Sequence, residues 1–276
     1  MEHLDLVQKY LQGRGVEIGA FKSPIPGVSP IYVDMFETYA NEPTLAEFYG
    51  DACQLPFHDS SLDYVATSHV IEHVANPLLA FKEWVRVLKH GGIIYMVVPD
   101  RRRIFDHPRL LTDPTHILDD YLALTTQSDS THIDEFVYGV DWAQYSPSTN
   151  PKNVSAARDD LAKLYHGAVQ NGGPINIHFH TFESSNIKQV ISIGNERGVW
   201  NGSMVIDLVC EGFPDSCPNG FLVVAKVRKP LIERVHSLFS IKGLKDNARR
   251  FQKANKSLDP TPTAVTDAAK QPPRQL

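Results

Sequence analysis

Several acidic or polar residues follow short apolar runs and are candidates for ligand contacts. These residues are Glu17 within "GVEIG" (15–19), Asp34 at the end of "PIYVD" (30–34), Asp51 in the turn "GDACQLPF", and Ser68 and His69 at the end of "LDYVATSH" (62–69). If the runs are parallel strands, their carboxyl ends meet at one edge of a sheet, where open α/β sheets bind ligands. An acid after the second strand suits the hydroxyl groups of a ribose. Asp34 and Asp51 could instead be solvated turn residues, but the ordered set favours one crevice.

The loop after the first run has one glycine, Gly19, where a dinucleotide-binding loop has three. Phe21 and Ser23 occupy the other positions, and three prolines precede the next run. About ten residues are too few for a helix and its two turns, and prolines remove backbone donors. A pyrophosphate needs such donors at a helix N-terminus. The loop therefore argues against NAD and FAD and favours a cofactor with a nucleoside but no phosphate, namely S-adenosylmethionine.

A second group of residues could act on an acceptor. His178 and His180 share one side of the extended stretch "INIHFHTFES", and Asp100 follows an apolar run directly. A neutral imidazole beside a hydroxyl group is a suitable general base, so these three are the predicted catalytic candidates. Hydrogen bonding of the histidines to the backbone is the alternative. We predict no metal site. A divalent metal held by these histidines and Asp100 or Asp134 is the competing interpretation.

The segment "PDRRRIFDHPR" (99–109) places arginines at the mouth of the predicted crevice. Guanidinium groups bind carboxylates and phosphates in a bidentate manner. Consecutive arginines point in different directions, so at most one or two can face a site. Arg102, Arg103 and His116 are the predicted acceptor-binding residues.

Hydrophobic periodicity predicts the elements that position these residues. Strands are expected at 15–19, 30–34, 62–67, 92–100, 203–211 and 221–229. Helices are expected at 2–12, at 77–90 with Asn76 as N-cap and Gly91 as the stop, at 155–169, and at 181–198 with a Thr181-x-x-Ser184 capping start. Alternation of strands and helices indicates a doubly wound α/β sheet, and the last two strands indicate an antiparallel hairpin. We expect a domain over 1–229 with an inserted cap at about 101–176. A basic helical segment (230–256) and a disordered tail (257–276) would follow.

The motifs "VEIGA", "YVD" and "GDACQLPFHDSSLDYVATSHVIEHVANPLLAFKEWVRVLKHGG" resemble the class I S-adenosylmethionine-dependent methyltransferases. The short first loop is most similar to a branch linked with bacterial polysaccharide and glycan modification. The resemblance implies a Rossmann-like fold with a mostly parallel seven-stranded sheet. It also implies that Glu17, Gly19 and Ala20 lie along the methionine part of the cofactor and Asp34 at the ribose. Asp51 and Ala52 would face the adenine, with Ser68 and His69 under the methionine end.

Composition limits the remaining function classes. The 276 residues carry a net charge of −5, yet residues 226–256 hold ten Lys and Arg against two acids, so the rest of the chain is strongly acidic. An acidic body disfavours nucleic-acid binding. The basic segment is expected to be a solvated helix, with an anionic membrane face or a partner as alternatives. Three scattered cysteines favour a reducing cytoplasm over disulfides or zinc. No run reaches the length of a membrane span, and no secretory signal is evident.

Together these features predict a methyltransferase acting on an oxygen or nitrogen atom of a carbohydrate or glycan-type acceptor. One alternative is a methyltransferase for a quinone, polyketide or other small metabolite, for which an arginine-poor pocket would be the indicator. The other is a non-catalytic binding protein in which Phe21 and the prolines close the cofactor site.

Overall fold

A computed structural model describes residues 3–39 and 42–231. Within them, one sheet has seven strands: β1 (Gly15–Ile18), β2 (Ile31–Asp34), β3 (Phe48–Tyr49), β4 (Leu62–Ser68), β5 (Leu88–Pro99), β6 (Ser203–Phe213) and β7 (Gly220–Arg228). Their order is β3-β2-β1-β4-β5-β7-β6. Strand β7 runs antiparallel to both of its neighbours, and the other pairings are parallel. The predicted mixed α/β sheet is confirmed, including the final antiparallel hairpin.

The described helices are α1 (His3–Tyr10), α2 (Pro77–Val87), α3 (Pro114–Ala123), α4 (Ile133–Gly139), α5 (Trp142–Tyr145), α6 (Val154–Gln170) and α7 (Ser184–Glu196). Short 3₁₀ turns lie at Ile71–His73, Arg101–Arg103 and Pro151–Asn153. A short hairpin follows β2, with two strands of two residues each, Thr38–Tyr39 and Glu42–Pro43. Among these elements, none is a helix between β1 and β2, as the prolines of that loop predict.

Helix α2 begins as its sequence predicts and ends earlier than expected. The Asn76 side chain accepts a hydrogen bond from the backbone N–H of Leu79 at 3.0 Å, and Pro77 occupies the first turn, where its missing N–H costs nothing. The helix ends at Val87 rather than near Gly91, because Leu88 already pairs with Leu62 of β4. Strand pairing thus ends the helix before the glycine is reached.

Helix α7 also starts later than expected. Its N-cap is Glu183, which exchanges hydrogen bonds with Asn186 in a capping box, and not Thr181. The hydroxyl group of Thr181 instead bonds to the backbone of Leu110 and Thr112. A long-range contact therefore replaces the predicted local cap.

The apolar side chains form separate clusters. Strand β5 is buried from Ile94 to Pro99, and both faces of the sheet are covered, as expected for a parallel sheet. The region between β5 and α7 has a cluster of its own, centred on Phe136, Val137 and Phe179. We call residues 101–182, which contain α3 to α6, the helical insertion. The predicted helix at 155–169 is α6 within it.

Two predictions fall outside the described residues: nearly all of the basic segment 230–256 and the whole tail 257–276. No helix in the described part of the chain is both long and apolar enough to cross a membrane.

Candidate active site

A crevice lies beyond the carboxyl ends of β1 and β2. From the sheet side it is lined by Ile18, Gly19, Phe21, Asp34, Met35, Phe36, Gly50, Asp51, Ala52, Val70, His73 and Val74; from the helical insertion it is lined by Gln127 and Asn176. Gly19, Asp34, Asp51 and Ala52, four of the predicted cofactor residues, therefore share one cavity. Phe21, about which the sequence allowed two interpretations, is a wall of this cavity.

The two acids of the crevice are held in fixed orientations by their own turns. Asp34 Oδ1 accepts from the N–H of Phe36 at 3.1 Å, and Asp51 Oδ1 accepts from the N–H of Cys53 at 2.7 Å. Helix α2 fixes the second turn from behind, since Trp84 Nε1 donates to the carbonyl of Ala52 at 3.0 Å. The carboxylates are thus preorganised to accept hydrogen bonds from a polar ligand such as a nucleoside.

Gly19 adopts φ +69°, and its position leaves no room for a side chain. A Cβ atom there would lie 2.7 Å from a methyl group of Val70. Its backbone N–H is bonded to Val33 O at 2.8 Å, which fixes the start of the loop beside β2. A glycine at this point allows close approach of the backbone to a ligand.

Glu17 is buried beneath the loop and is not a lining residue of the crevice. Its carboxylate accepts from the N–H of Ile25 at 2.9 and 3.2 Å, which ties the proline-rich loop to β1. Burial raises the pKa of Glu17 to about 7, against the opposing effect of the Ile25 hydrogen bond. In this structure Glu17 holds the loop, and its predicted contact with the cofactor remains a prediction.

The other predicted cofactor residues, Ala20, Ser68 and His69, also lie outside the lining of the crevice, although they adjoin it along the chain. His69 has a positive φ of 53° and donates its backbone N–H to Val97 O at 3.0 Å. A left-handed conformation at a non-glycine residue is uncommon. This conformation of His69 directs the chain from β4 into the Ile71–His73 turn. Val70 and His73 of this stretch line the crevice.

The three predicted catalytic residues are each engaged elsewhere. His180 is fully buried and contacts Asp120 Oδ2 through Nε2 at 2.9 Å; burial lowers its pKa, so the ring is neutral at pH 7. His178 Nδ1 lies 2.5 Å from Asp106 Oδ2. Asp100 is buried, caps the Arg101–Arg103 turn and pairs with Arg102. None of the three lines the crevice.

The predicted acceptor-binding residues also have internal partners. Arg102 makes two hydrogen bonds to Asp100, and Arg103 donates to the carbonyl of Pro218 at 2.8 Å. His116 lies on α3, where its ring faces His132 with a nitrogen–nitrogen distance of 2.9 Å. No arginine lines the crevice in the described part of the chain.

Sequence reasoning missed the contribution of the helical insertion. The Gln127 side chain accepts from the N–H of Ala75 at 2.7 Å and donates to His73 O at 2.8 Å, so it joins the insertion to the edge of the crevice. The His73 and His178 rings pack edge to face at 4.5 Å. His73 also lines the cavity. No local signal links Gln127 to His73, which lies 54 residues earlier.

Comparison with known proteins fits this architecture. Residues 28–96 match a family model described as "Methyltransferase domain". The matched residues contain β2, β3, β4, α2 and most of β5. This part of the chain is thus similar to a methyltransferase domain. The match implies S-adenosylmethionine as the cofactor. The crevice suits it, because acids follow β2 and β3 and the described residues between β1 and β2 form no helix that could bind a phosphate.

Sequence relatives match only a short stretch. The demethylmenaquinone methyltransferase of Staphylococcus aureus is 48% identical over 46 residues, which is 17% of this chain and 19% of that protein. The chain thus spans about a fifth of the length of the curated relatives that it matches.

Alignments with solved structures extend over most of the chain at low identity. An S-adenosylmethionine-dependent methyltransferase from Methanosarcina mazei has 17% identity and a TM-score of 0.44, with coverage of 83% of this chain and 100% of that one. A possible histamine N-methyltransferase from Thermotoga maritima has 18% identity and a TM-score of 0.42, with coverage of 83% and 88%.

Proposed function

We propose that this chain transfers a methyl group from S-adenosylmethionine to an oxygen or nitrogen atom of a small, uncharged acceptor. The observation that carries the proposal is the crevice itself, in which Gly19, Asp34, Asp51 and Ala52 converge. When bound, the cofactor supplies an electrophilic methyl group on a sulfonium centre. All other contributions come from the residues of this chain.

The ends of the sheet strands would hold the cofactor. The Asp34 carboxylate would accept from ribose hydroxyl groups, and Asp51 with the Ala52 backbone would face the adenine ring. Phe21 and Val70 offer apolar surface, and Gly19 allows the backbone to approach. Two fixed acids also favour a ligand with a cationic centre.

The crevice residues that are not assigned to the cofactor indicate the class of acceptor. His73, Gln127 and Asn176 provide polar groups and Phe36 and Val74 apolar ones, while the arginines pair with acids or carbonyls elsewhere. An arginine-poor pocket favours a neutral small molecule over an anionic one. The relationship to a demethylmenaquinone methyltransferase is consistent with this choice, and the glycan-type acceptor stays as the second class to be assayed.

His73 is the group we place next to the acceptor. It lines the crevice, and its ring is supported by His178, which is itself fixed by Asp106. Such support limits the motion of an imidazole that accepts a proton from the acceptor while methyl transfer is promoted mainly by positioning.

Calorimetry with S-adenosylmethionine and S-adenosylhomocysteine tests the cofactor site. We expect binding of both, and at least a tenfold loss of affinity in Asp34→Ala, because the ribose contacts are removed. Asp160→Ala, which changes an exposed acid on α6, is the matched control and should bind as the wild type does. Absence of binding by either compound would overturn the proposal, and unchanged affinity in Asp34→Ala would relocate the site.

Mass spectrometry tests the acceptor. Phenolic, quinol and amine metabolites are incubated in parallel with neutral and acidic saccharides, and products are examined for the gain of one methyl group. His73→Ala should lower turnover on the accepted compound while S-adenosylhomocysteine still binds. Methylation of saccharides alone would contradict the small-molecule assignment, and normal turnover in His73→Ala would exclude the role of that ring.

A further inference from the structure

Four side chains of the helical insertion converge on one point outside the crevice. His116 and Asp120 lie on α3, His132 is the N-cap of α4, and His180 lies in the extended stretch before α7. The Nε2 atoms of His116, His132 and His180 lie 3.4, 3.6 and 2.9 Å from Asp120 Oδ2. The Nε2 atoms of His116 and His132 are 2.9 Å apart. We call this group the His3-Asp cluster.

The spacing of these atoms is that of a tetrahedral coordination shell. Zinc–nitrogen and zinc–oxygen bonds of about 2.0–2.1 Å require ligand atoms about 3.3 Å apart. The four distances given above run from 2.9 to 3.6 Å, and all four ligand atoms lie within 4.8 Å of one another. Four of the six separations are thus close to the value for a tetrahedral shell, and small rotations of the side chains would bring all four atoms to bonding distance of one cation.

Hydrogen bonding alone explains the cluster poorly. A single carboxylate oxygen faces three ring nitrogens, and two of those nitrogens also face each other. The Nδ1 atom of His180 has no hydrogen-bond partner in the described part of the chain, so its fully buried ring makes its polar contact through Nε2. The three imidazole rings lie with their centroids 5.1–5.8 Å apart, and imidazole nitrogens that converge in this way are suited to share a cation.

A surrounding shell of hydrogen bonds orients the ligands. The Nδ1 atom of His132 lies 2.9 Å from the hydroxyl of Thr131, which in turn bonds to Asp129. Asp120 Oδ1 accepts from the Thr125 hydroxyl at 3.0 Å, which leaves Oδ2 for the centre of the cluster. Metal-binding histidines and carboxylates are oriented by outer partners of this kind.

We propose that the His3-Asp cluster binds one divalent zinc-type cation, as a structural site that holds the helical insertion together. Three imidazoles and one carboxylate suit zinc better than magnesium or calcium, which require mostly oxygen ligands. Four protein ligands complete a tetrahedron, which is typical of a structural site. This replaces the prediction from sequence that the chain has no metal site.

The position of the cluster explains what the cation would do. His132 and His180 are buried, whereas the His116 side chain is half exposed and provides a path for entry. The ligands join α3, the start of α4 and the stretch 175–182, which are distant in the sequence. Asn176 of that stretch lines the crevice, so a bound cation would stiffen one wall of it.

Metal analysis of the full chain without an affinity tag tests the site. After equilibration with zinc and removal of the excess, we expect one zinc per chain by plasma mass spectrometry. Replacement by cobalt should give the intense visible absorption of a tetrahedral cobalt centre. Removal of zinc with EDTA should lower the midpoint of thermal unfolding by several degrees, and added zinc should restore it. None of these readouts depends on methyl transfer.

Variants identify the ligands. His116→Ala changes a half-exposed ligand that is not part of the core, so the protein should fold, and it should bind zinc at least tenfold more weakly. Thr131→Val should weaken binding about tenfold, because an outer partner is lost. His166→Ala, which removes an exposed histidine of α6 that pairs with Asp134, is the control and should retain one zinc.

Two outcomes would overturn the proposal. One is a wild-type chain that binds no zinc or cobalt and whose thermal unfolding does not respond to EDTA. The other is zinc binding of equal affinity in the wild type, His116→Ala and a folded His132→Ala. Circular dichroism of each variant separates loss of the metal from loss of the fold.

Discussion

Glu17 is a buried carboxyl group whose ionisation is linked to the stability of the fold. Its folded-state pKa of about 7 lies above the ordinary value of 4.5, so the folded state holds the proton more tightly than the unfolded state. Its contribution is therefore fully favourable below pH 4.5, is lost as the pH rises to about 7, and is constant above. The loss amounts to about 3 kcal/mol. We expect Glu17→Gln to abolish this part of the pH dependence.

Urea unfolding at pH 4.5, 6 and 8 measures the effect. Glu17→Gln keeps an acceptor for the Ile25 N–H and should exceed the wild type in stability at pH 8 but not at pH 4.5. Glu37→Gln, at an exposed position after β2, is the control and should follow the wild-type curve. Parallel curves for the wild type and Glu17→Gln would refute the linkage.

Gly19 is the second residue at which a substitution has a predictable cost, because its φ is positive and Val70 lies close to it. Gly19→Ala places a Cβ atom against Val70 and forces a side chain into a left-handed conformation, which costs about 1–2 kcal/mol before the contact is counted. We expect lower thermal stability and at least a tenfold loss of S-adenosylhomocysteine affinity by calorimetry.

The double variant Gly19→Ala/Val70→Ala separates the steric contact with Val70 from the backbone strain as causes of the lost stability. It removes the steric contact but not the backbone strain, so it should recover only part of the lost stability. Full stability in the single variant would show that the loop relaxes without cost.

At the scale of elements, sequence reasoning succeeded where one segment carries its own signal. The apolar runs of β1, β2, β4 and β5, and the Asn76-Pro77 start of α2, depend on residues next to each other. It failed where a distant segment decides the outcome: pairing of Leu88 with Leu62 ends α2, and Thr181 leaves its expected cap for Leu110 and Thr112.

The candidate site divides in the same way. Asp34 and Asp51 could be placed because each follows a strand whose neighbours are predictable. The His3-Asp cluster joins residues 116, 120, 132 and 180, and its one local signal was the i, i+4 spacing of His116 and Asp120 on α3. The contact between Asp120 of α3 and His180 depends on tertiary packing, which the sequence of neither segment predicts.

Asn76 contacts both α2 and α3, so its substitution tests the link between these two helices. Its Oδ1 caps α2, and its Nδ2 donates to the carbonyl of Asp120 on α3 at 3.1 Å. Asn76→Ala removes both contacts and should reduce the free energy of unfolding by about 1–3 kcal/mol. Asn76→Asp keeps the cap and loses only the second contact, so it should lie between Asn76→Ala and the wild type in urea unfolding. Equal losses in the two variants would show that the cap contributes nothing.

At the scale of the whole molecule, the crevice is shared by two bodies with separate apolar clusters. The sheet supplies Gly19, Asp34 and Asp51, and the helical insertion supplies Gln127 and Asn176. The family match at 28–96 contains Asp34 and Asp51 of the sheet side and ends before the insertion begins. The resemblance seen in the sequence is strongest in the same part. Acceptor choice is therefore expected to depend on the insertion.

Gln127 tests whether the two bodies act together. Its amide makes the hydrogen bonds to Ala75 N and His73 O, so Gln127→Ala leaves two backbone groups at the edge of the crevice without these partners. An unsatisfied buried group costs about 1–3 kcal/mol, so urea unfolding should show a loss of that size. Since Gln127 also lines the crevice, S-adenosylhomocysteine affinity should fall with it. Gln144→Ala, at an exposed position on α5, should change neither quantity. Lower stability with unchanged affinity would mean that the sheet side alone binds the cofactor and that the insertion serves only the acceptor.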